Sequence, residues 1–275
     1  MQNELKSAIQ FDDFYTVFGT KGVVAMAWWL GALHADRIRT EHHSFPFLHI
    51  EGEAGAGKTF LTGYLWKLVG EESPRVHTPE YSTQAGRSRW LAAAGTIGKT
   101  VVVLESVPTE NPAFDWEELR DLYSGGVIRR AQTQGTEDAY FHGALTIVSS
   151  QPIQCSEALE SRIAHMHLGI THTTESLKSA SALNQLTAQQ AGAFGHAVAQ
   201  REDQLVSTFN KLAPAYTASL LDEHGHQLSV RAAKNGGQLM ALVDALSLLL
   251  NLTSEQRLNS LSAVRHVVET DFVQF

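Results

Sequence analysis

Residues 52–59 read GEAGAGKT. This satisfies the spacing G-x-x-x-x-G-K-[ST] of a phosphate-cradling loop, the Walker A pattern. Each residue type has a chemical reason to be there. Glycines at 52, 55 and 57 let backbone N–H groups turn inward around a β-phosphate with no Cβ in the way. The ammonium of Lys58 reaches the β- and γ-phosphates, and the hydroxyl of Thr59 coordinates Mg²⁺. Glu53, Ala54 and Ala56 fill the variable positions, and Phe60 follows in the opening turn of a helix whose positive dipole end favours the anion. ATP and Mg²⁺ are the cofactors this pattern implies.

Hydrolysis needs more than the loop. An acid at the end of a neighbouring strand must hold Mg²⁺ through water and orient the attacking water. The run VVVLE puts Glu105 at such an end, as a second Mg²⁺ group beside Thr59. Glu105 is flanked by Leu104 and Ser106 rather than by a second acid. Either one carboxylate serves both roles, or Glu110, Asp115 or Glu118 supplies the other; the plain alternative is a surface Glu that ends a strand. A second strand, ALTIVSS, runs into Ser149, Ser150 and Gln151. Ligands of α/β sheets bind at that carboxyl edge, which makes Gln151 a candidate γ-phosphate sensor, against a strand simply entering a turn before Pro152. Arg162, in EALESRIAHMHL, reads as part of a short helix leading to an apolar stretch. At a subunit edge it would serve as an arginine finger on a neighbour's nucleotide; otherwise it is an exposed, salt-bridged arginine.

The elements that must position these residues are visible as periodicities. Residues 12–39 carry apolar side chains at three- and four-residue spacings, with Gly19 and Gly22 marking a break between two helical pieces. Residues 45–50 read as a short buried strand before the loop and 60–69 as the helix after it. A helix is expected over 87–94. The β-branched runs at 99–105 and 144–150 read as strands buried on both faces of a parallel sheet. Between them lie a short helix, 117–123, the pair Gly125-Gly126 and a polar hairpin. Beyond 170 the chain becomes Ser/Thr/Gln/Ala-rich with helical spacing over 188–212, 229–250 and 254–272. The expected organisation is a helical segment 1–40, an α/β core 41–170 and a helical lid 171–275.

Composition bounds the rest. The chain has 275 residues, 43% hydrophobic, enough for a substantial core. A single cysteine, Cys155, excludes a disulfide framework and fits a reducing cytoplasm. No apolar run reaches the roughly 18–20 residues of a membrane span, so no membrane partner is expected. The net charge of −8 argues against a broad nucleic-acid-binding face. The pairs His42-His43 and His165/His167 lack Cys or carboxylate partners at ligand spacing, so no metal site is expected there. Trp28, Trp29, Trp66, Trp90 and Trp116 read as core or interface, and Cys155 has no basic partner to activate it.

Five stretches in this order, FPFLHIEGEAGAGKTFLTGYLWKLVG, VVVLES, FDWEELRDLYSGGVIRRAQTQG, GALTIVSSQ and SEALESRIAHMHL, resemble the helicase-like ATPase module of phage and mobile-element replication proteins. That module usually follows a primase or toprim domain and is related to superfamily 3 helicases within the AAA+ group. The likeness covers about residues 20–170 and extends weakly into VRAAKNGGQLMALVDAL, which looks like the family's lid, where Arg231 and Lys234 would act as a second sensor. It implies a three-layer P-loop NTPase core, a homo-oligomeric, hexameric ring, single-stranded DNA as substrate, and a primase domain or partner in a bacterial or phage-infected cytoplasm. In such relatives a hairpin before the sensor strand touches the DNA backbone; here GVIRRAQTQG, with Arg129 and Arg130, occupies that place. The sequence departs from the family in three respects: the sensor is commonly Asn where this chain has Gln151, the Walker B position has only Glu105, and no primase motif precedes the loop. The alternative from another class is an ATP-binding switch or scaffold in a defence or regulatory assembly.

Overall fold

A computed structural model describes residues 2–73, 75–107, 114–132, 135–170 and 172–270. Three helices open the chain: α1 (Gln2–Ala8), α2 (Phe11–Ala32) and α3 (Ala35–His42). Strand β1 (Phe47–Glu51) leads through the glycine loop to α4 (Lys58–Lys67). Next come β2 (Val76–His77), α5 (Gln84–Gly95), β3 (Val101–Glu105) and a 3-10 helix, Trp116–Ser124. A hairpin of β4 (Val127–Gln132) and β5 (Gly135–Tyr140) precedes β6 (Ala144–Ser149), the single turn α6 (Glu157–Glu160) and β7 (Ile163–His167). Among the described residues six α-helices follow: α7 (Thr174–Gln185), α8 (Ala188–Ala191), α9 (Ala193–Gln200), α10 (Glu202–His224), α11 (Val230–Leu250) and α12 (Ser254–Thr270). The architecture is α/β, as expected, with helical N- and C-terminal parts.

The chain forms two compact units that interleave in sequence. One comprises residues 31–52 and 75–167 and contains a five-stranded, all-parallel sheet in the order β2-β3-β6-β1-β7. Its central strands are covered on both faces, so Val101–Leu104, Ala144–Ser149 and Phe47–Ile50 are buried throughout, the polar His49, Thr146 and Ser149 included. Register aligns their carboxyl ends: Glu51 lies beside Ser149 and Glu105 beside Val148. Phe47, Trp116, Leu119, Phe141, Leu145 and Ile163 are among the side chains of its core. Arg87 anchors the 3-10 helix from α5: its guanidinium meets Glu118 at 2.8 Å and sits 4.8 Å from the Phe114 ring centroid.

The other unit takes residues 1–30, 53–74 and 168–275 and is helical. The helical conformation of α2 lapses at Gly19 (φ 55°, ψ −145°), one of the two glycines where a break was expected. Phe14 stacks on Tyr64 at 4.5 Å, and the Tyr64 hydroxyl donates to the Ile9 carbonyl at 2.7 Å, so α4 is held against the N-terminal helices. Trp29 meets Trp66 edge-on at 6.0 Å. Helices α10 and α11 approach closely because Gly237 has no side chain: a Cβ there would lie 2.7 Å from the Thr217 nitrogen and 2.8 Å from the Ala213 carbonyl oxygen. Arg257 of α12 and Tyr216 of α10 converge on Asp244 of α11, at 2.9 and 2.6 Å, tying the three helices by charge-assisted bonds. No single helix among the described residues is long and apolar enough to cross a membrane.

Candidate nucleotide site

The loop begins where β1 ends. Gly55 (φ 86°) and Gly57 (φ 88°, ψ 12°) both take the left-handed conformation that β-carbons resist, which turns the loop back on itself. The amide of Ala56 donates to the Glu53 carbonyl at 3.1 Å, and the Lys58 ammonium caps the same oxygen at 2.9 Å. Helix α4 starts at Lys58, and its first backbone bond within the helix is Leu61 N–H to the Gly57 carbonyl at 2.8 Å. The amides of Lys58, Thr59 and Phe60 therefore stand at the helix mouth, where four N–H groups have no partner within the helix. Glu53, Ala54, Gly55 and Thr59 are exposed, Ala56 is buried and Gly57, Lys58 and Phe60 are half-buried. A strand, a glycine turn, an amine and a hydroxyl at a helix N-terminus suit a polyphosphate with its cation. Residues 52–60 are those that would hold ATP, with Thr59 as one Mg²⁺ ligand.

Gly52 belongs to the sheet unit, and so do the other strand-end candidates. Glu105 is the exposed last residue of β3, and the next amide, Ser106, donates to the Val148 carbonyl of β6 at 2.8 Å. Ser149 ends β6, and its hydroxyl oxygen lies 2.5 Å from the Gln151 carbonyl, with Gln151 exposed two residues past the strand. Gly52, Glu105 and Gln151 thus come off one sheet edge from three adjacent strands. Of the other acids considered, Glu110 lies outside the described residues. Asp115 accepts from the Glu117 amide at 3.0 Å as the cap of the 3-10 helix, and Glu118 is bound by Arg87. Both carboxylates already have structural work.

Arg162 is not on a helix, as its surroundings suggested. It sits between α6 and β7, because IAHMH continues as an edge strand beside β1. Its guanidinium lies 5.6 Å from the Tyr123 ring centroid and donates to the Ala158 carbonyl. The expected hairpin is present, with Arg129 directly across from Asp138 and Arg130 across from Glu137. Arg129 is exposed and its Nε is 3.6 Å from the Asp138 carboxylate. In register, two acidic positions thus stand opposite the two arginine positions, which no linear reading revealed. An open cleft of about 740 Å³ brings Arg129 and Arg162 together with Arg120, Glu118 and Asp121. Arg120 is the residue that sequence reasoning passed over; its only sequence signal was its place in the helix preceding the hairpin.

Arg231 and Lys234 occupy the first turns of α11, and burial, followed by the neighbouring Arg231 charge, draws the Lys234 ammonium below the usual lysine range. Burial and the Glu160 carboxylate hold the Cys155 thiol well above the ordinary thiol range, so it stays protonated and poorly nucleophilic.

No family model matches this chain, and no curated protein does. Solved structures do. One is that of SCCmec type IV Cch, an active helicase, with a TM-score of 0.66 and 15% identity over 95% of this chain and 51% of that one. A structure of a candidate ATPase from Cytophaga hutchinsonii aligns over 100% of this chain and 94% of that one at 14% identity, with a TM-score of 0.44 that bears on nothing further. This chain spans about half the length of Cch and shares the fold of that helicase.

Proposed function

We propose that this chain is an ATP-hydrolysing motor module that assembles as a ring, hexameric by analogy, and moves on single-stranded DNA. The observation that carries this reading is the glycine loop at the head of α4, with Gly55 and Gly57 left-handed and Lys58 reaching across it. Residues 52–60 bind the triphosphate, Lys58 neutralises charge on the γ-phosphoryl group, and Thr59 and Glu105 hold Mg²⁺. Glu105 orients the attacking water and Gln151 senses the γ-phosphate. Arg162 acts in trans on a neighbour's nucleotide, which makes hydrolysis depend on assembly. Replication of a phage or mobile element, in the cytoplasm of the host and beside a primase domain or partner, is the setting the sequence resemblance supports.

Arg129 and Arg130 are the proposed DNA contacts. Phosphate contacts release counterions, so affinity for single-stranded DNA is expected to fall with salt by about 0.7 in log–log slope per contact. An Arg129→Ala/Arg130→Ala double variant is expected to bind less tightly, to show a shallower slope and to show no change in base preference. Affinity across a salt series, with ATP present, checks this; superimposable curves for the two proteins would put the DNA contact elsewhere. Two observations favour the second reading, an ATP-dependent switch: Glu137 and Asp138 stand opposite the two arginines, and the chain carries a net charge of −8. Absence of DNA binding by the parent at low salt would favour that reading.

A further inference from the structure

The sheet unit contains a chain of polar side chains that the proposed hydrolysis does not use. His49, in the middle of β1, is fully buried. Its Nδ1 lies 3.0 Å from Nδ1 of His165 on β7, with the two rings edge-on, and its Nε2 lies 2.7 Å from the Ser149 hydroxyl on β6. Beyond His165, Nε2 is 3.0 Å from the Glu160 carboxylate of α6. Beyond Ser149, the hydroxyl oxygen is 2.5 Å from the Gln151 carbonyl. Four contacts thus run across three neighbouring strands, from Glu160 to the backbone of the proposed sensor.

Counting protons decides what this chain can do. The Gln151 carbonyl only accepts, so contact with it requires the Ser149 proton. The Ser149 oxygen must then accept from Nε2–H of His49. A neutral His49 protonated at Nε2 has a bare Nδ1, which must accept from Nδ1–H of His165. Glu160, whose carboxylate lies 3.0 Å from Nε2 of His165 as an ion pair without hydrogen-bond alignment, favours a positive charge on that ring. All four contacts are made together only when His165 carries both ring protons. Remove one, and His49 becomes the donor to His165, the Ser149 hydroxyl turns to Nε2 of His49, and the Gln151 carbonyl loses its donor. Burial pushes His49 down to about 3, and His165 beside it holds Glu160 below the usual carboxylate range. His49 therefore stays neutral and Glu160 ionised near neutral pH. His165, between the neutral His49 ring and the Glu160 carboxylate, is the member whose second proton decides these directions. The other titratable and charged groups acting on the chain are Cys155, whose thiol donates to Glu160 at 3.1 Å, and Glu117 beside Cys155. Glu51 and His167 pair at 3.8 Å one step along β1 and β7.

We propose that Glu160, His165, His49 and Ser149 form a positioning relay, in which one proton on His165 sets the direction of every hydrogen bond and thereby locks or frees the backbone at Gln151. The relay joins the turn before Arg162 to the strand end before Gln151. Its effect on turnover rests on the reading of Gln151 as the sensor, whereas its existence as a proton-directed chain does not.

Two measurements on the full chain separate these. In selectively ¹⁵N-histidine-labelled protein, ring-nitrogen shifts across a pH series report each tautomer, and the ¹³C shift of the Gln151 carbonyl reports its hydrogen bond. The expected result is a doubly protonated His165 at the acid end. Its deprotonation should switch His49 from the Nε2–H to the Nδ1–H tautomer, and the Gln151 carbonyl should move in step. A His49 tautomer that never changes, or a Gln151 carbonyl indifferent to the His165 titration, would overturn the relay. The second measurement is the pH profile of ATP hydrolysis. In the parent, kcat is expected to fall severalfold as pH rises through the His165 titration, with KM unmoved. His165→Asn should flatten that limb, and Glu160→Gln should shift it to lower pH. A limb that persists unchanged in His165→Asn would detach the relay from turnover. A parent that hydrolyses no ATP would sink the sensor reading while leaving the nuclear magnetic resonance result to decide the relay.

Discussion

Lys58→Ala is expected to abolish measurable hydrolysis and to weaken nucleotide binding about tenfold to a hundredfold. A charge-assisted hydrogen bond is worth roughly 1.5–3 kcal/mol, which converts to that loss of affinity. Turnover falls further, by about 10²–10³-fold, because a fixed cation aimed at developing charge stabilises the transition state more than the ground state. Lys58 also bonds the Glu53 carbonyl, so the substitution removes a loop closure as well; alanine is nonetheless a good helix former at the start of α4. Isothermal titration with a non-hydrolysable ATP analogue and a steady-state phosphate assay measure the two effects separately. Mixing Lys58→Ala with Arg162→Ala is expected to recover part of the activity, since a mixed interface pairs an intact loop with an intact finger. Hydrolysis at the parent rate by Lys58→Ala would remove the loop from the mechanism, and no recovery despite co-assembly would remove the finger.

The second large effect is expected at Glu105. Glu105→Gln keeps the size and polarity of the strand end while deleting its charge and its basicity. Positioned general bases contribute about 10²–10⁴-fold, so turnover is expected to drop by that factor with nucleotide affinity within a few-fold of the parent. The side chain ends β3 in an exposed position, and neither Asp115 nor Glu118 is free to replace it: one caps the 3-10 helix and the other is bound by buried Arg87. Single-turnover hydrolysis with prebound ATP reads the chemical step directly. Retained turnover would move the role to another acid, and joint loss of binding would mark Glu105 as structural.

The parts of the fold that were legible in the sequence are those whose physics is local. VVVLE and ALTIVS are mostly apolar, largely β-branched runs, and such runs suit strands covered on both faces. The glycine loop was legible because its spacing also requires a strand before it and a helix after it. Strand β7 was not read because IAHMH places two histidines among its apolar residues and follows the helix-like EALES, so its pattern matches neither period. Strand β2 has two residues and leaves no pattern. Non-local facts escaped for a different reason. Nothing in residue order says that β6 inserts between β1 and β3, which is what sets Glu105 and Gln151 at the ends of adjacent strands. Nor does it say that β5 sets Asp138 and Glu137 against Arg129 and Arg130. The histidines at 165 and 167 were set aside as lacking partners, because Glu160 and His49 reach His165 only through the turn after α6 and through pairing with β1.

The central claim is that energy from the nucleotide loop is spent on a nucleic-acid strand. The most direct test is the steady-state rate of ATP hydrolysis by the assembled protein, with and without single-stranded DNA at low salt. The account predicts a basal rate that rises several-fold on addition of the strand and loses that increase when Arg129 and Arg130 are both alanine. A protein that binds ATP and hydrolyses it at the same rate whether or not DNA is present would contradict the account and leave the switch.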